Sequence, residues 1–262
     1  MTSLETTLPG HPLLESSIVT YGQIVGDGVP AKVLPPRVSA SLVIYVENSS
    51  AQNDAGYPRA TIGGIREHPI QIDAVDGSVD RIQVKFTPWG FSRFTSVKPY
   101  ALKERNIPAD EVFPSSVLKE LLDALVPGQS LDHRRQVLDR FFLKLYSPPS
   151  TIEMTIRSLA ISLSENHNGS FGSAISEVNL SRRQVERYFQ RYIGISPRMF
   201  QRLTRFERAK ESLLDRRSGT LGDIGLASGY YDQAQFNRDF RVLSLVSPGN
   251  YRFCTPTSFV SG

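Results

Sequence analysis

Apolar positions alternate with polar ones along the first third of the chain and recur at helical spacing along most of the rest. In AKVLPPRVSASLVIYVEN, Leu42, Ile44 and Val46 stand two apart, as do Ile82, Val84 and Phe86 in DRIQVKFTPWGF, so each set lines one face of a strand. RATIGGIREHPIQIDAV continues the alternation, and Gly, Pro and Asp cut the runs into the short pieces of a β-sandwich or barrel. NSSAQNDAGYP reads as a long loop, and residues 1–30, rich in Gly, Pro, Ser and Thr, as short extended pieces. After Pro99 the period changes to near 3.6. SSVLKELLDAL, with Val117, Leu121, Leu122 and Leu125, and LDHRRQVLDRFFLKLY, with Leu131, Val137, Leu138, Phe141, Phe142 and Leu145, are predicted amphipathic helices. Pro148 and Pro149 stop the second, because proline lacks an N–H and restricts its predecessor. A domain boundary is expected there, giving domains 1–149 and 150–262 of the 262 residues.

The second domain opens with a core helix in STIEMTIRSLAISLSEN, through Ile152, Ile156, Leu159 and Ile161 or Leu163. A short helix around Phe171–Val178, a break at Asn179-Leu180, where Asn suits a positive φ, and a helix from Ser181 then describe a helix-turn-helix. Ser181 with Gln184 three places on is a capping-box pattern. Val185 and Phe189 share the inner face; Arg183, Glu186, Arg187 and Gln190 share the outer one. Gly194-Ile195-Ser196-Pro197 ends that helix and restarts the chain. In the long helix Arg198–Leu214, Phe200, Leu203, Phe206 or Ala209, and Leu213 are predicted inward, with Arg198, Arg202, Arg205 and Arg208 outside. RRSGT is a loop, LGDIGLASG a weak helix, YYD a turn and QAQFNRDFRV a second basic helix.

The pattern occurs twice. Ser181, Val185, Arg187, Phe189, Ser196, Pro197 and Phe200 map 51 residues on to Asp232, Phe236, Arg238, Phe240, Ser247, Pro248 and Tyr251, which means one supersecondary unit built twice. Charge sharpens the picture. Ser181–Lys210 holds nine basic and two acidic residues, a net +7 that exceeds the chain's +4. Residues 151–262 carry +5 and residues 1–150 carry −1, so one part suits a polyanion and the other a different task.

Catalytic and metal chemistry find little support. His11, His68, His133 and His167 are too scattered for a ligand pair, no cofactor is expected, and phosphate loops, nucleophile elbows and zinc-protease pairs are missing. Asp73, Asp76 and Asp80 flank a Gly-Ser turn, and Trp89 reads as a buried aromatic at a strand end. Cys254 is the single cysteine, so internal disulfides are ruled out and a cytoplasmic home is expected. The N-terminus lacks the pattern of a secretory signal, and no stretch approaches the ~20 apolar residues of a membrane helix.

The segment SRRQVERYFQRYIGISPRMFQRLTRFERA, followed by DIGLASGYYDQAQFNRDFR and VSPGNYR, resembles the paired helix-turn-helix domain of AraC/XylS transcription regulators. The N-terminal half resembles the β-rich domain preceding it in one branch of that family, through VPAKVLPPRVSASLVIYV, ATIGG and VKFTPWG. The fold class expected is α+β in two domains: a β-barrel or sandwich with trailing helices for sensing or dimerisation, then an all-α domain of two helix-turn-helix units on one long helix. The resemblance implies a non-enzymatic transcription regulator, an activator or a repressor, that binds double-stranded DNA. It implies base-facing roles for Arg183, Glu186 and Arg187 and for Gln233, Gln235 and Arg238, and phosphate or base contacts for Arg182, Gln190 and Arg191. RNA polymerase, a small-molecule effector and a second copy of the chain are the further candidate partners. Three departures stand out: Gly225 where the family usually has Ala, Gly222 in the same helix, and Leu245 in place of the usual Gly. The alternative reading is a protein-interaction module whose helix-turn-helix pair has lost DNA affinity.

Overall fold

The structure, a computed structural model, describes residues 4–29, 31–47, 59–72, 74–165, 175, 178–215 and 219–252. Contacts divide the chain into two compact units, one of Met1–Ala31, Ser39–Ile65 and Asp73–Pro149, the other of Lys32–Val38, Arg66–Ile72 and Ser150–Gly262.

The first unit is built on a six-stranded antiparallel sheet. In chain order its strands are β1 (Leu4–Leu8), β2 (Ile18–Val29), β4 (Ser41–Glu47), β5 (Ala60–Gly63), β7 (Val75–Phe86) and β8 (Asn106–Pro108), and in space they run β1-β2-β7-β4-β5-β8. The expected class, α+β, holds, but the sheet stays open rather than closing into a barrel. Its outer strands are β1 and the three-residue β8, whose Pro108 has no N–H to offer a further strand. The alternating residues face inward as expected: Leu42, Ile44, Val46, Ile82, Val84 and Phe86 are all buried. β3 (Lys32–Leu34) and β6 (Ile70–Ile72) form a separate ribbon in the second unit, continued by a bridge between Arg37 and Arg66. Burial and the nearby Arg66 charge push the Arg37 guanidinium down to about 10.

Both predicted helices follow, α1 at Ser115–Ala124 and α2 at Leu131–Leu145. Ser130 caps α2 by accepting from the backbone N–H of His133. Phe142 plugs α2 into the sheet, its ring 5.6 Å from Phe86 and 4.8 Å from Phe94, both edge-on, and 6.3 Å from the stacked ring of Tyr21.

A buried polar seam runs beside these rings. Asp80 lies on β7 instead of merely serving the turn, because its carboxylate takes both Nη atoms of the fully buried Arg134 at 2.6 Å. One turn further along α2, Asp139 accepts from the Tyr21 hydroxyl and the His11 backbone N–H, each at 2.9 Å, and from Arg135 Nη1 at 2.9 Å. Burial, then the Asp139 charge, holds the Tyr21 phenol well above its ordinary pKa. Asp80→Ala would strand the Arg134 cation in the interior. The expected loss is ~3–5 kcal/mol of stability in the first unit, read from Trp89 fluorescence during urea unfolding, with a smaller loss when Asp80→Leu is combined with Arg134→Met.

Candidate nucleic-acid interface

The second unit starts with α3 (Thr151–Glu165), which buries Ile156, Leu159 and Leu163. The short helix expected at Phe171–Val178 lies mostly outside the described residues. Asn179 falls in the turn before Ser181, yet it does not take the positive φ expected of it. α4 (Arg182–Tyr192) then begins at the predicted residue. Ser181 Oγ accepts from Gln184 N at 3.3 Å, and Gln184 Oε1 accepts from Ser181 N at 2.8 Å. Val185 and Phe189 are buried, while Arg182, Arg183, Glu186, Arg187, Gln190 and Arg191 are all exposed. Four guanidinium groups therefore project from three turns of helix. The ion pair between Arg182 and Glu186 on this face, at 3.4 Å, is exposed and contributes little.

Gly194, at φ 98°, closes α4, and Ser196 caps α5 (Pro197–Leu214) by accepting from Met199 N. Both Phe206 and Ala209 are buried, along with Phe200, Leu203 and Leu213. Arg198 is exposed as expected; three other arginines of this helix are not plain outward charges. Arg202 Nε donates to Asp239 at 2.7 Å, Arg205 lies over the Tyr230 ring at 5.5 Å, and Arg208 donates to the carbonyls of Ser164 and Ser228. Those two carbonyls end α3 and α6 (Leu221–Ala227), where helix dipoles favour a cation. Half-buried, the three arginines brace the domain, and burial lowers the Arg208 pKa. Burial, then Asp239, keeps the Tyr230 phenol high.

α6 is better secured than its two glycines suggest. Thr220 Oγ1 accepts from Asp223 N at 3.2 Å, and Asp223 Oδ2 accepts from Thr220 N at 2.9 Å and from its hydroxyl at 2.7 Å, which lowers the Asp223 pKa. Gly225 packs tightly against α7 (Gln233–Ser244): a Cβ there would stand 3.1 Å from three atoms of Phe236. A side chain there would have to displace Phe236 by a few tenths of an ångström, so the glycine eases the packing of α6 on α7.

α7 repeats α4 at a spacing of 51 residues. Asp232 Oδ1 accepts from Gln235 N at 2.6 Å, and Phe236 and Phe240 are buried. Gln233 and Arg238 are exposed, as expected. Gln235, expected to face the bases, is half-buried. It occupies the register of Gln184 and, like it, serves the cap, its Oε1 accepting from Tyr231 N at 2.9 Å, so Nε2 is the end available to a ligand. Carrying the register through every position brings in Asn237, opposite Glu186, and Arg241, opposite Gln190; both are exposed and both were missed. Helical spacing from Asp232 could have found them. The chain leaves α7 through Leu245 at φ 65° and enters α8 (Pro248–Arg252).

The two basic helices share one rod. Phe189 of α4 meets Phe200 of α5 edge-on at 5.9 Å, and Phe240 of α7 meets Phe206 of α5 at 5.0 Å. Both basic helices are therefore seated on the same 18-residue helix, ~27 Å long, each with its polar face outward. Two capped basic helices seated in this way on one helix, the second preceded by α6, suit a nucleic-acid-binding class of domain.

Residues 175–253 match a family model described as a helix-turn-helix domain. This segment is a helix-turn-helix domain of the AraC type, the domain of DNA-binding transcription regulators. Among solved structures, the chain is similar to a transcriptional regulator with an AraC-type DNA-binding domain from Chromobacterium violaceum, at 28% identity over 39% of this chain and 94% of that one, TM-score 0.35. It is also similar to ToxT from Vibrio cholerae strain SCE256 bound to an unsaturated fatty acid, at 12% identity over 94% and 97% of the two chains, TM-score 0.45. A third similarity is to ToxT from Vibrio cholerae O395 bound to (E)-4-(8-methylnaphthalen-1-yl)but-3-enoic acid, at 12% identity over 96% and 98%, TM-score 0.43. Among curated protein sequences, none matches the chain at a significant level. Among the described residues, no helix is long and apolar enough to cross a membrane, and no cluster of three or more His, Cys, Asp or Glu could hold a metal.

Leu245 holds, at a left-handed φ, the place after α7 that Gly194 holds after α4. A side chain there costs about 1–2 kcal/mol, and Leu245 is 55% exposed, so little packing is at stake. Leu245→Gly is expected to raise the stability of the C-terminal domain by ~0.5–1 kcal/mol after the entropy lost by glycine, measured as a higher thermal midpoint by circular dichroism.

Proposed function

We propose that this protein is a sequence-specific regulator of transcription that lays α4 and α7 in successive major-groove segments on one face of a DNA duplex. The observation that carries the reading is the pair of capped helices, in matching register on one rod, with their polar faces outward. Arg183, Glu186 and Arg187 read base edges from α4; Gln233, Asn237 and Arg238 do so from α7, with Gln235 steadying the turn and offering Nε2. Arg182, Gln190 and Arg191, and Arg241 of the second unit, meet phosphates or neighbouring bases. Arginine suits guanine because its fork matches O6 and N7, and Gln or Asn suits adenine by a similar two-bond fit. The N-terminal unit serves as the sensing or dimerising part, and RNA polymerase is the partner through which a bound regulator would act.

Site selection from random duplexes with the purified chain is expected to return two sequence blocks about one helical turn, roughly 34 Å, apart. On the selected site, Arg187→Ala and Arg238→Ala should each weaken binding ~10- to 100-fold, the range of ~1–3 kcal/mol for a good base contact. Log K should fall linearly with log salt. Unchanged affinity in both variants would instead favour a helix pair that docks a protein.

A further inference from the structure

Tyr188 and Tyr192 stand four residues apart on α4, half-buried, at the border between its core face and its polar face. Their rings are stacked, with centroids 6.1 Å apart and planes inclined by 25°. A cation lies on each: Arg187 Cζ is 5.0 Å from the Tyr188 centroid, and Arg191 Cζ is 5.6 Å from the Tyr192 centroid. Arg187 Nη2 also donates to the Tyr188 hydroxyl at 3.4 Å.

We propose that Tyr188 and Tyr192 are positioning residues that hold Arg187 and Arg191 in the orientation from which they grip DNA. The proposal rests on the DNA-binding reading above and adds what sets the direction of two of its arginines. A free arginine on an exposed helix samples many rotamers and must give them up on binding; a guanidinium already resting on a ring gives up fewer. The second unit supplies an internal contrast. In the 51-residue register Tyr188 corresponds to Asp239 and Tyr192 to Leu243. Asp239 is held by Arg202, and Leu243 is buried in the core, so an aromatic pair is not something this kind of unit needs in order to fold. Arg238, the counterpart of Arg187, has no tyrosine beside it in the chain.

The test uses the full chain and the duplex it selects. An exposed cation–π contact is worth roughly 2- to 5-fold in a binding constant, so Tyr188→Leu with Tyr192→Leu should bind about 5- to 10-fold more weakly. Tyr188→Phe with Tyr192→Phe, which keeps both rings, should stay within about 2-fold of wild type. In an Arg187→Ala, Arg191→Ala background the leucine pair should cost nothing further; an equal cost in both backgrounds means that the tyrosines act without the arginines and overturns the proposal. So does wild-type affinity in the leucine pair. Should that pair unfold, Nε–Hε relaxation of the wild-type chain still decides: Arg187 and Arg191 should be more ordered than Arg183, and equal mobility overturns the proposal. A wild-type chain that selects no site overturns the DNA-binding reading and this inference together, whereas a chain that selects a site but shows no coupling overturns this inference alone.

Discussion

The C-terminal domain depends on one helix having two clients. α5 carries Phe200 toward Phe189 and, six residues later, Phe206 toward Phe240, so each basic helix is keyed by an aromatic contact to the same rigid rod. Because a helix rises 1.5 Å per residue, those two keys are ~9 Å apart along the axis and cannot drift independently. Arg202, Arg205 and Arg208 strengthen the arrangement by tying the rod to Asp239, to the Tyr230 ring and to the carbonyls of Ser164 and Ser228. The charge that looks like a nucleic-acid surface in α5 is therefore largely internal scaffolding, and the outward charge belongs to α4 and α7.

The N-terminal unit solves a similar problem with buried ions. Arg134 and Asp80 join α2 to β7, and Asp139 joins the same helix to β2 and to the backbone at His11. Such a seam is specific in direction where apolar packing is not: a slipped α2 could keep Phe142 near other rings, but it could not keep both carboxylates satisfied. The helix that ends this unit is thus fixed in register as well as in place.

Local features were legible in the residues and pairings across the chain were not. Period near 3.6 located α1, α2, α4, α5 and α7, and Ser181 with Gln184 gave the start of α4 to the residue, because caps and amphipathic faces depend on neighbours within one turn. Asp80 looked like a turn residue because its partner lies 54 positions away. Arg202 and Arg208 looked like solvated charge for the same reason, their partners being on other elements. α6 read as weak because helix propensity was counted without the Thr220–Asp223 box or the contact at Gly225. The cap bond of Gln235 follows from the repeat, which sets it in the register of Gln184, whereas residue type alone points only to a base contact. The open sheet could not be told from a closed one, since alternation fixes which side of a strand is buried and is silent on whether the first and last strands meet.

The two reading helices are unequal in one respect that shapes how the proposed regulator would travel. α4 presents Arg182, Arg183, Arg187 and Arg191, whereas the same register in α7 presents Gln233, Ala234, Arg238 and Val242. On a duplex of arbitrary sequence the first helix, with four arginines against Arg238 and Arg241 of the second, would provide the larger share of the sequence-blind attraction to phosphate, and the amides of the second would add little until they met suitable bases. Movement along the double helix and inspection of its letters would then fall to different helices on one rigid rod, with the more cationic helix as the runner and the amide-rich helix as the latch.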